Sequence, residues 1–274
     1  MHTVSIVTPS YNQGKFIEDC LLSVKRQTYA AAEHIVIDGG STDDTVKILK
    51  RYSSQPGWEH LKWISEPDRG QSDALNKGFR LATGEIVGWL NSDDTYADGC
   101  FDAIARAIAS HPDVDVFYGD YNWIDERGGL LKTRREIEFS RFIVLFNRMC
   151  FIQSSGALFL KRNIFQGGHF LDEEFCYAMD YEFYLRLLNN GYRFRHVGKV
   201  LGSFRWHSDS KTSNFASKQA LEISAAREKH AACLKRINGS AAKIVTATFL
   251  GALATVLRWS EKAARGYYFD QRRF

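Results

Sequence analysis

Apolar runs recur along the first third of the chain, and each is cut off by a cluster of polar and glycine residues. Val4 to Thr8, His34 to Ile37, Leu61 to Ser65 and Ile86 to Leu90 read as strands, the last covered on both faces. Helical periodicity fills the gaps. Phe16, Ile17, Cys20, Leu21 and Val24 share one face up to about Gln27, and Val46, Ile48 and Leu49 mark a second helix that Ser41 or Thr42 can cap. A third helix is predicted from about Gln71 to Leu81. Regular strand–helix alternation means βαβ units and a mostly parallel sheet, so the fold class is α/β. Right-handed crossovers bring the polar loops after these strands to the same sheet edge, where a ligand with several polar parts would sit.

The pattern changes after a helix over Asp98 to Ser110. Val114 to Tyr118 is a further strand, and residues 120 to 134 predict a hairpin turning at Arg127 to Gly129. Ser155 to Leu160 is again strand-like. Phe175 to Asn189 predicts a helix with Tyr181, Tyr184, Leu185 and Leu188 inward, stopped by Asn190 and Gly191. Arg193 to Val197 and Val200 to Trp206 are short strands, and Ser217 to Ile237 a long helix.

Composition narrows the class. With 45% apolar and 25% charged residues over 274 positions, the chain can bury one large core and is not a disordered one. A formal charge of +4 is too mild to imply nucleic acid, and suits anionic ligands or an anionic membrane surface. The five cysteines are scattered, odd in number and without C-x-x-C spacing, which argues against a disulfide framework or zinc site and for a reducing compartment. Met1 to Ser5 leads straight into a strand with no signal-peptide pattern. The longest apolar run, Ile244 to Leu257, falls short of the roughly 20 residues that span a bilayer. The expected location is cytoplasmic.

The chemistry concentrates at Asn91, Ser92, Asp93 and Asp94, where the central strand stops. Carboxylates at the carboxyl end of such a strand lie where open α/β sheets bind ligands, and hard oxygen donors suit Mg²⁺ or Mn²⁺ bridging to a diphosphate. The alternative is an Asx turn capping the helix that begins near Asp98. Gly39 and Gly40 do not form G-x-G-x-x-G, which weakens a dinucleotide site.

In order along the chain, VSIVTPSYNQ, IVIDGGSTDDT, EPDRGQSDALNKGFRLATGEIVGWLNSDD, QSSGALFLKR, MDYEFYLRL and FRWHSDSKT resemble the family 2 glycosyltransferases of GT-A fold, over about residues 3 to 212. One such motif is weak; the ordered set is specific. The resemblance implies an inverting, metal-dependent transfer of a sugar from a nucleoside diphosphate, most naturally a UDP-sugar, to an acceptor hydroxyl on a glycan or lipid-linked glycan, in surface polysaccharide synthesis. It implies a catalytic domain over residues 1 to 212, with a nucleotide-binding half to 97 and an acceptor half after it, and a helical extension over 213 to 274.

The same resemblance assigns roles. The Asp-x-Asp metal motif is here Asn91, Ser92 and Asp93, so Asp93 and Asp94 are the expected carboxylates for Mn²⁺ or Mg²⁺, with His207 completing the shell and Asn91 left to bond ribose or phosphate. Asp38 matches a uracil-binding aspartate, and its other reading is a turn residue. Pro9, Ser10 and Tyr11 rim the base pocket. Gln71, Asp73 and Lys77, with Arg69, open a helix whose N-terminus favours phosphate, or else form a solvated face. Gly156 corresponds to a glycine beside the sugar, and Ser210 and Lys211 to a loop that closes on the diphosphate. Asp180 is the expected general base, written Met179-Asp180 where the family has Glu-Asp. Glu182 is the fallback base, and Arg186 completes the motif. A cap at a helix start is the other reading of Asp180.

Two rivals stay open. A sugar nucleotidyltransferase would want a basic, glycine-rich loop after the first strand, and Pro9 to Gly14 has no Arg or Lys. A degenerate, non-catalytic nucleotide-sugar-binding protein would explain Asn91 and Met179. In the tail, cations from Arg227 to Arg273 flank the Ile244 to Leu257 stretch and Trp259, so residues 240 to 274 read as a membrane-surface helix or as one docked on its own domain or a second subunit.

Overall fold

The computed structural model describes residues 2–27, 33–146, 155–208, 216–231 and 240–267. Strands β1 (Val4–Ser10), β2 (Glu33–Asp38), β3 (Leu61–Ser65) and β4 (Ile86–Trp89) alternate with helices α1 (Ile17–Lys25), α2 (Thr45–Ser53) and α3 (Gln71–Leu81). They pair in parallel in the order β3-β2-β1-β4, so the expected βαβ half is present.

Beyond β4 the sheet becomes mixed. It continues through β8 (Leu158–Lys161), β6 (Val116–Ile124), β9 (Phe194–Arg205) and β5 (Thr95–Tyr96), and β7 (Leu130–Arg134) pairs with β6. β8 runs antiparallel to both its neighbours, β4 and β6. Helices α4 (Cys100–Ser110), α5 (Arg141–Phe146), α6 (Asn163–Gln166), α7 (Met179–Asn189), α8 (Ala216–His230) and α9 (Ser240–Ala264) complete the chain.

Side chains of alternating direction on the central strands feed cores on the two faces of the sheet. Val87 and Trp89 join Phe79, Phe165, Phe183 and Leu187 on one face, while Ile86 and Leu90 join Phe101, Ile104 and Phe159 on the other. Each such buried side chain contributes about 1.5–3 kcal/mol of transfer free energy.

Several elements differ from the sequence pattern for physical reasons. Arg193 to Trp206 does not make two short strands: β9 runs on through an irregularity at Gly198, whose φ is +67°. The strand-like Ser155 opens instead as a 3₁₀ turn, Ser155–Ala157, because Gly156 packs under Gly202. A Cβ at Gly202 would lie 2.5 Å from the Gly156 carbonyl oxygen. Helix α2 begins at Thr45, and Asp43 rather than Ser41 or Thr42 accepts the Thr45 backbone N–H, at 2.9 Å. Thr42 donates instead to Asn12, 2.9 Å away. The region 232–237 of the expected long helix lies outside the described residues.

Helix α9 packs on α5 and on the segment after β7. Two of its cations face the protein: Arg258 Nη2 is 2.8 Å and Lys262 Nζ 3.4 Å from the fully buried carboxylate of Glu136. Val245, Phe249, Leu253, Val256 and Trp259, spaced by three and four residues, form an exposed apolar stripe. Among the described residues no helix is long and apolar enough to cross a membrane.

Candidate active site

The carboxyl ends of β1 and β4, the start of α3 and the end of β9 surround a cavity of about 1100 Å³. Pro9 and Ser10 from β1 with Tyr11 just after it, and Gly70 and Gln71 at the start of α3, form part of its wall. Trp89, Asn91, Ser92 and Asp93 follow from β4, and His207 from the end of β9. Asp180, at the start of α7, lines the same space. Residues expected from distant motifs thus share one cavity.

Asp93 and His207 meet directly, with Oδ2 and Nε2 3.1 Å apart. The loop carrying Asp93 is braced by Arg205, which is 1% exposed. Arg205 Nε donates to the Asp93 carbonyl at 2.8 Å, its backbone N–H to Asp94 Oδ1 at 2.9 Å, and Nη2 to Asp19 at 2.9 Å. Asp94 is buried between that N–H and Ser155 Oγ, which lies 3.4 Å from its Oδ2. Burial, and then the charge of Asp93, push the Asp94 carboxyl well above the usual carboxylate range. Asp94 is no part of the cavity wall. Its geometry is that of a brace.

Asn91 is oriented by two donors, Gln71 Nε2 and Trp89 Nε1, each 2.9 Å from its Oδ1. Its amide nitrogen is left to donate, which a carboxylate in that position would not do.

Asp180 is half-buried, and burial lifts its carboxyl to about 6. Helix α8 anchors the segment that carries it. Glu222 accepts the backbone N–H groups of Cys176, Tyr177 and Ala178 at 3.2, 2.7 and 2.9 Å, and Gln219 donates to the Tyr177 carbonyl at 3.1 Å. These N–H groups precede the first turn of α7 and point out of the helix, so a carboxylate there compensates them. Gln219 and Ile223 also line the cavity, so its wall extends past residue 212.

Other expected site residues are placed elsewhere. Asp38 is fully buried and collects Ser65 Oγ at 2.6 Å, Ser41 N at 2.9 Å and Gly40 N at 3.2 Å, a turn-organising arrangement. Its neighbour Gly39 reaches the cavity beside Asp68, and a Cβ on Gly39 would fall 2.6 Å from Asp68 Oδ2. Asp73 accepts from Arg69, and Lys77 pairs with Glu66 at 2.9 Å and Asp73 at 3.5 Å. Both are structural ion pairs off the cavity wall. Gly156 is under Gly202. Glu182 is fully buried among Arg186 Nη2 at 3.0 Å and His230 Nε2 at 2.8 Å, which ties α7 to α8. Ser210 and Lys211 lie outside the described residues.

Sequence reasoning missed Asp68, Arg205, Glu222, Gln219 and the wall formed by Tyr121, Trp123, Lys132 and Arg134. Asp68 and Arg205 stood inside motifs that had been recognised. The others have no local signal: only the pairing of β6 with β7, and of α7 with α8, brings them to the site.

A family model described as glycosyl transferase family 2 matches residues 5–167. An uncharacterised glycosyltransferase of Mycobacterium tuberculosis is 36% identical over 194 residues, 67% of this chain and 68% of the relative. The chondroitin synthase of Escherichia coli is 30% identical over 201 residues, which span 72% of this chain and 28% of that enzyme. Among solved structures, S. aureus TarS 1-349 in complex with UDP-GlcNAc aligns with a TM-score of 0.66 and 20% identity, over 88% of this chain and 69% of that one. A mannosyltransferase from Pyrobaculum calidifontis in complex with GDP-Man and Mn²⁺ aligns at 0.58 and 20%, over 93% of this chain and 81% of that one. The chain belongs to glycosyl transferase family 2, as a glycosyltransferase on a GT-A-like α/β fold.

Proposed function

We propose that the protein is an inverting, divalent-metal-dependent glycosyltransferase that moves a sugar from a UDP-sugar to the hydroxyl of a glycan or lipid-linked glycan in surface polysaccharide synthesis. The observation that carries this is the gathering of Asp93, His207 and Asp180, from three separate motifs, into one cavity.

A carboxylate and an imidazole 3.1 Å apart fit Mn²⁺ or Mg²⁺, which commonly take one or two protein ligands and complete their shell with substrate phosphates and water. Among the described residues no group of three or more His, Cys, Asp or Glu is placed to hold a metal ion, which fits a shell completed by substrate phosphates and water. When bound, the cation supplies Lewis-acid stabilisation of the charge on the leaving diphosphate. Tyr11 packs against the base, and the Asn91 amide donates to ribose or phosphate. Asp180 accepts the proton of the acceptor hydroxyl as its oxygen bonds to the anomeric carbon and the carbon–phosphate-oxygen bond breaks, with inversion. A carboxyl near 6 is a stronger base than an ordinary carboxylate and is still ionised at neutral pH.

Thermal shift with UDP, GDP and TDP tests the base, since a ligand stabilises the native state by about 2.7 kcal/mol at a hundredfold excess over Kd. UDP is expected to raise Tm most. A larger shift with GDP or TDP overturns the UDP assignment. UDP release from UDP-sugars with Mn²⁺ separates an enzyme from a degenerate binding protein, which would show the shift without release.

The lipid-surface part rests on the apolar stripe of α9. Arg258 and Lys262 are paired with Glu136, so among the described residues of the helix the apolar side chains are taken to supply the attraction to lipid. Flotation with anionic liposomes is therefore expected to persist in roughly 0.5 M salt. It should be lost on combining Phe249→Glu with Val256→Glu. Equal flotation of that variant discards the contact.

A further inference from the structure

We propose that the wall formed by Trp123, Lys132, Arg134 and Trp206 is the acceptor subsite, and that it selects a sugar bearing an anionic group. This rests on the glycosyltransferase reading above and specifies its acceptor.

The wall is set by strand register. Tyr121 pairs with Arg134 and Trp123 with Lys132 across β6 and β7, while Trp123 pairs with Phe204 across β6 and β9. Residues two apart on a strand share a face, so Tyr121, Trp123, Lys132 and Arg134 come to the cavity together. Trp206, just past β9, stacks on Trp123 with ring centres 5.4 Å apart and planes 8° from parallel. Trp206 is 39% exposed and also lines the cavity. Such a platform fits the apolar face of a sugar ring.

Charge supplies the selectivity. Lys132 and Arg134 are the Lys and Arg side chains of the cavity wall, whereas Asp68, Asp93 and Asp180 are its carboxylates. Lys132 Nζ lies 4.1 Å from the centre of the Trp123 ring, and Arg134 approaches the same ring at 5.8 Å. Among the described residues neither is in an ion pair, and Arg134 Nε is buried without a protein acceptor. Burial, then the charge of Arg134, pushes the Lys132 ammonium below its ordinary value. Two cations crowded in a partly desolvated wall repel each other, and an anion between them relieves that cost. The donor's diphosphate is already provided for at Asp93 and His207. The cavity, about 1100 Å³, lies at the upper end of the roughly 300–1000 Å³ of ligand pockets, as a site that takes a donor and an acceptor group would.

The test uses three disaccharide probes: one neutral, one ending in a sugar phosphate and one containing a uronic acid. Binding to the full chain is measured by calorimetry with and without UDP. Both anionic probes, or one of them, are expected to bind at least tenfold tighter than the neutral one, and the stronger names the anion. Lys132→Gln and Arg134→Gln should each remove most of that preference and leave the UDP-induced Tm shift unchanged. Trp206→Ala should weaken all probes alike. Equal binding of neutral and anionic probes overturns the proposal. So does loss of the UDP shift in Lys132→Gln, which would give these cations to the donor. Failure of every nucleotide to shift Tm in the unsubstituted protein would sink the donor reading alone, because probe binding is also read without nucleotide.

Discussion

Asp180→Asn is expected to lower turnover by about 10²–10⁴-fold, the range for a removed general base, while UDP-sugar binding is retained. The acid limb of kcat/KM in the unsubstituted enzyme should fall with an apparent pKa near 6, because burial holds the carboxyl of the free enzyme there and only the ionised form accepts a proton. The same burial predicts a stability signature. A carboxyl whose folded pKa is raised favours the native state below its unfolded pKa and loses that contribution as pH rises through about 6. At pH 8 the ionised group therefore costs at most about 3 kcal/mol, which the amide does not. Asp180→Asn should thus melt a few degrees higher than the parent at pH 8, with the gain shrinking towards pH 4. An inactive variant that is also less stable at pH 8 would make Asp180 a structural cap. Unchanged turnover would remove the base assignment altogether.

That test is clean because the backbone under Asp180 is held from elsewhere. Glu222 fixes the segment before α7 through three backbone N–H groups, so the side chain at 180 can change without unwinding the helix start. The second acid of the motif, Glu182, is committed to Arg186 and His230.

How far the site was legible follows from the kind of signal each part carries. The parallel half was readable because buried strands are written as apolar runs and the loops after them as polar clusters. That Asp93, Asp180 and His207 line one cavity was foreseeable because short motifs mark them. β5 was not, since a two-residue strand exists only through its register with β9. At Asp38 and Lys77 the residue type alone does not give the partners inside the protein. Their residue types suit a ligand, but hydrogen bonds to Ser65 and Ser41, and ion pairs to Glu66 and Asp73, engage them within the protein. Lys132 and Arg134 alternate correctly for a hairpin, yet alternation does not say which face meets a cavity. For the same reason Arg258 and Lys262 could be counted among the cations of the sequence, but Glu136 decides where those two point.

Asp93→Asn is expected to reduce transfer by about 10²–10³-fold, the usual loss when a preorganised charge-stabilising group is removed. The readout that matters is binding. In the parent, Mn²⁺ should enlarge the UDP-induced Tm shift; in Asp93→Asn that increment should vanish and the metal-free UDP shift remain. Asp94→Ala separates ligand from brace. Its side chain bonds the Arg205 backbone and Ser155 away from the cavity, so its loss leaves a buried N–H unpaired at a cost of about 1–3 kcal/mol. Tm should drop in that variant while the Mn²⁺ increment survives at temperatures where it is folded. Asn91→Asp tests the remaining position: Gln71 and Trp89 can donate to a carboxylate as they do to the amide, and the added charge beside Asp93 should tighten Mn²⁺ while weakening contact with phosphate. Should Asp93→Asn keep the Mn²⁺ increment and Asp94→Ala lose it, the cation belongs to Asp94. The geometry of Arg205 would then have to change when the nucleotide binds.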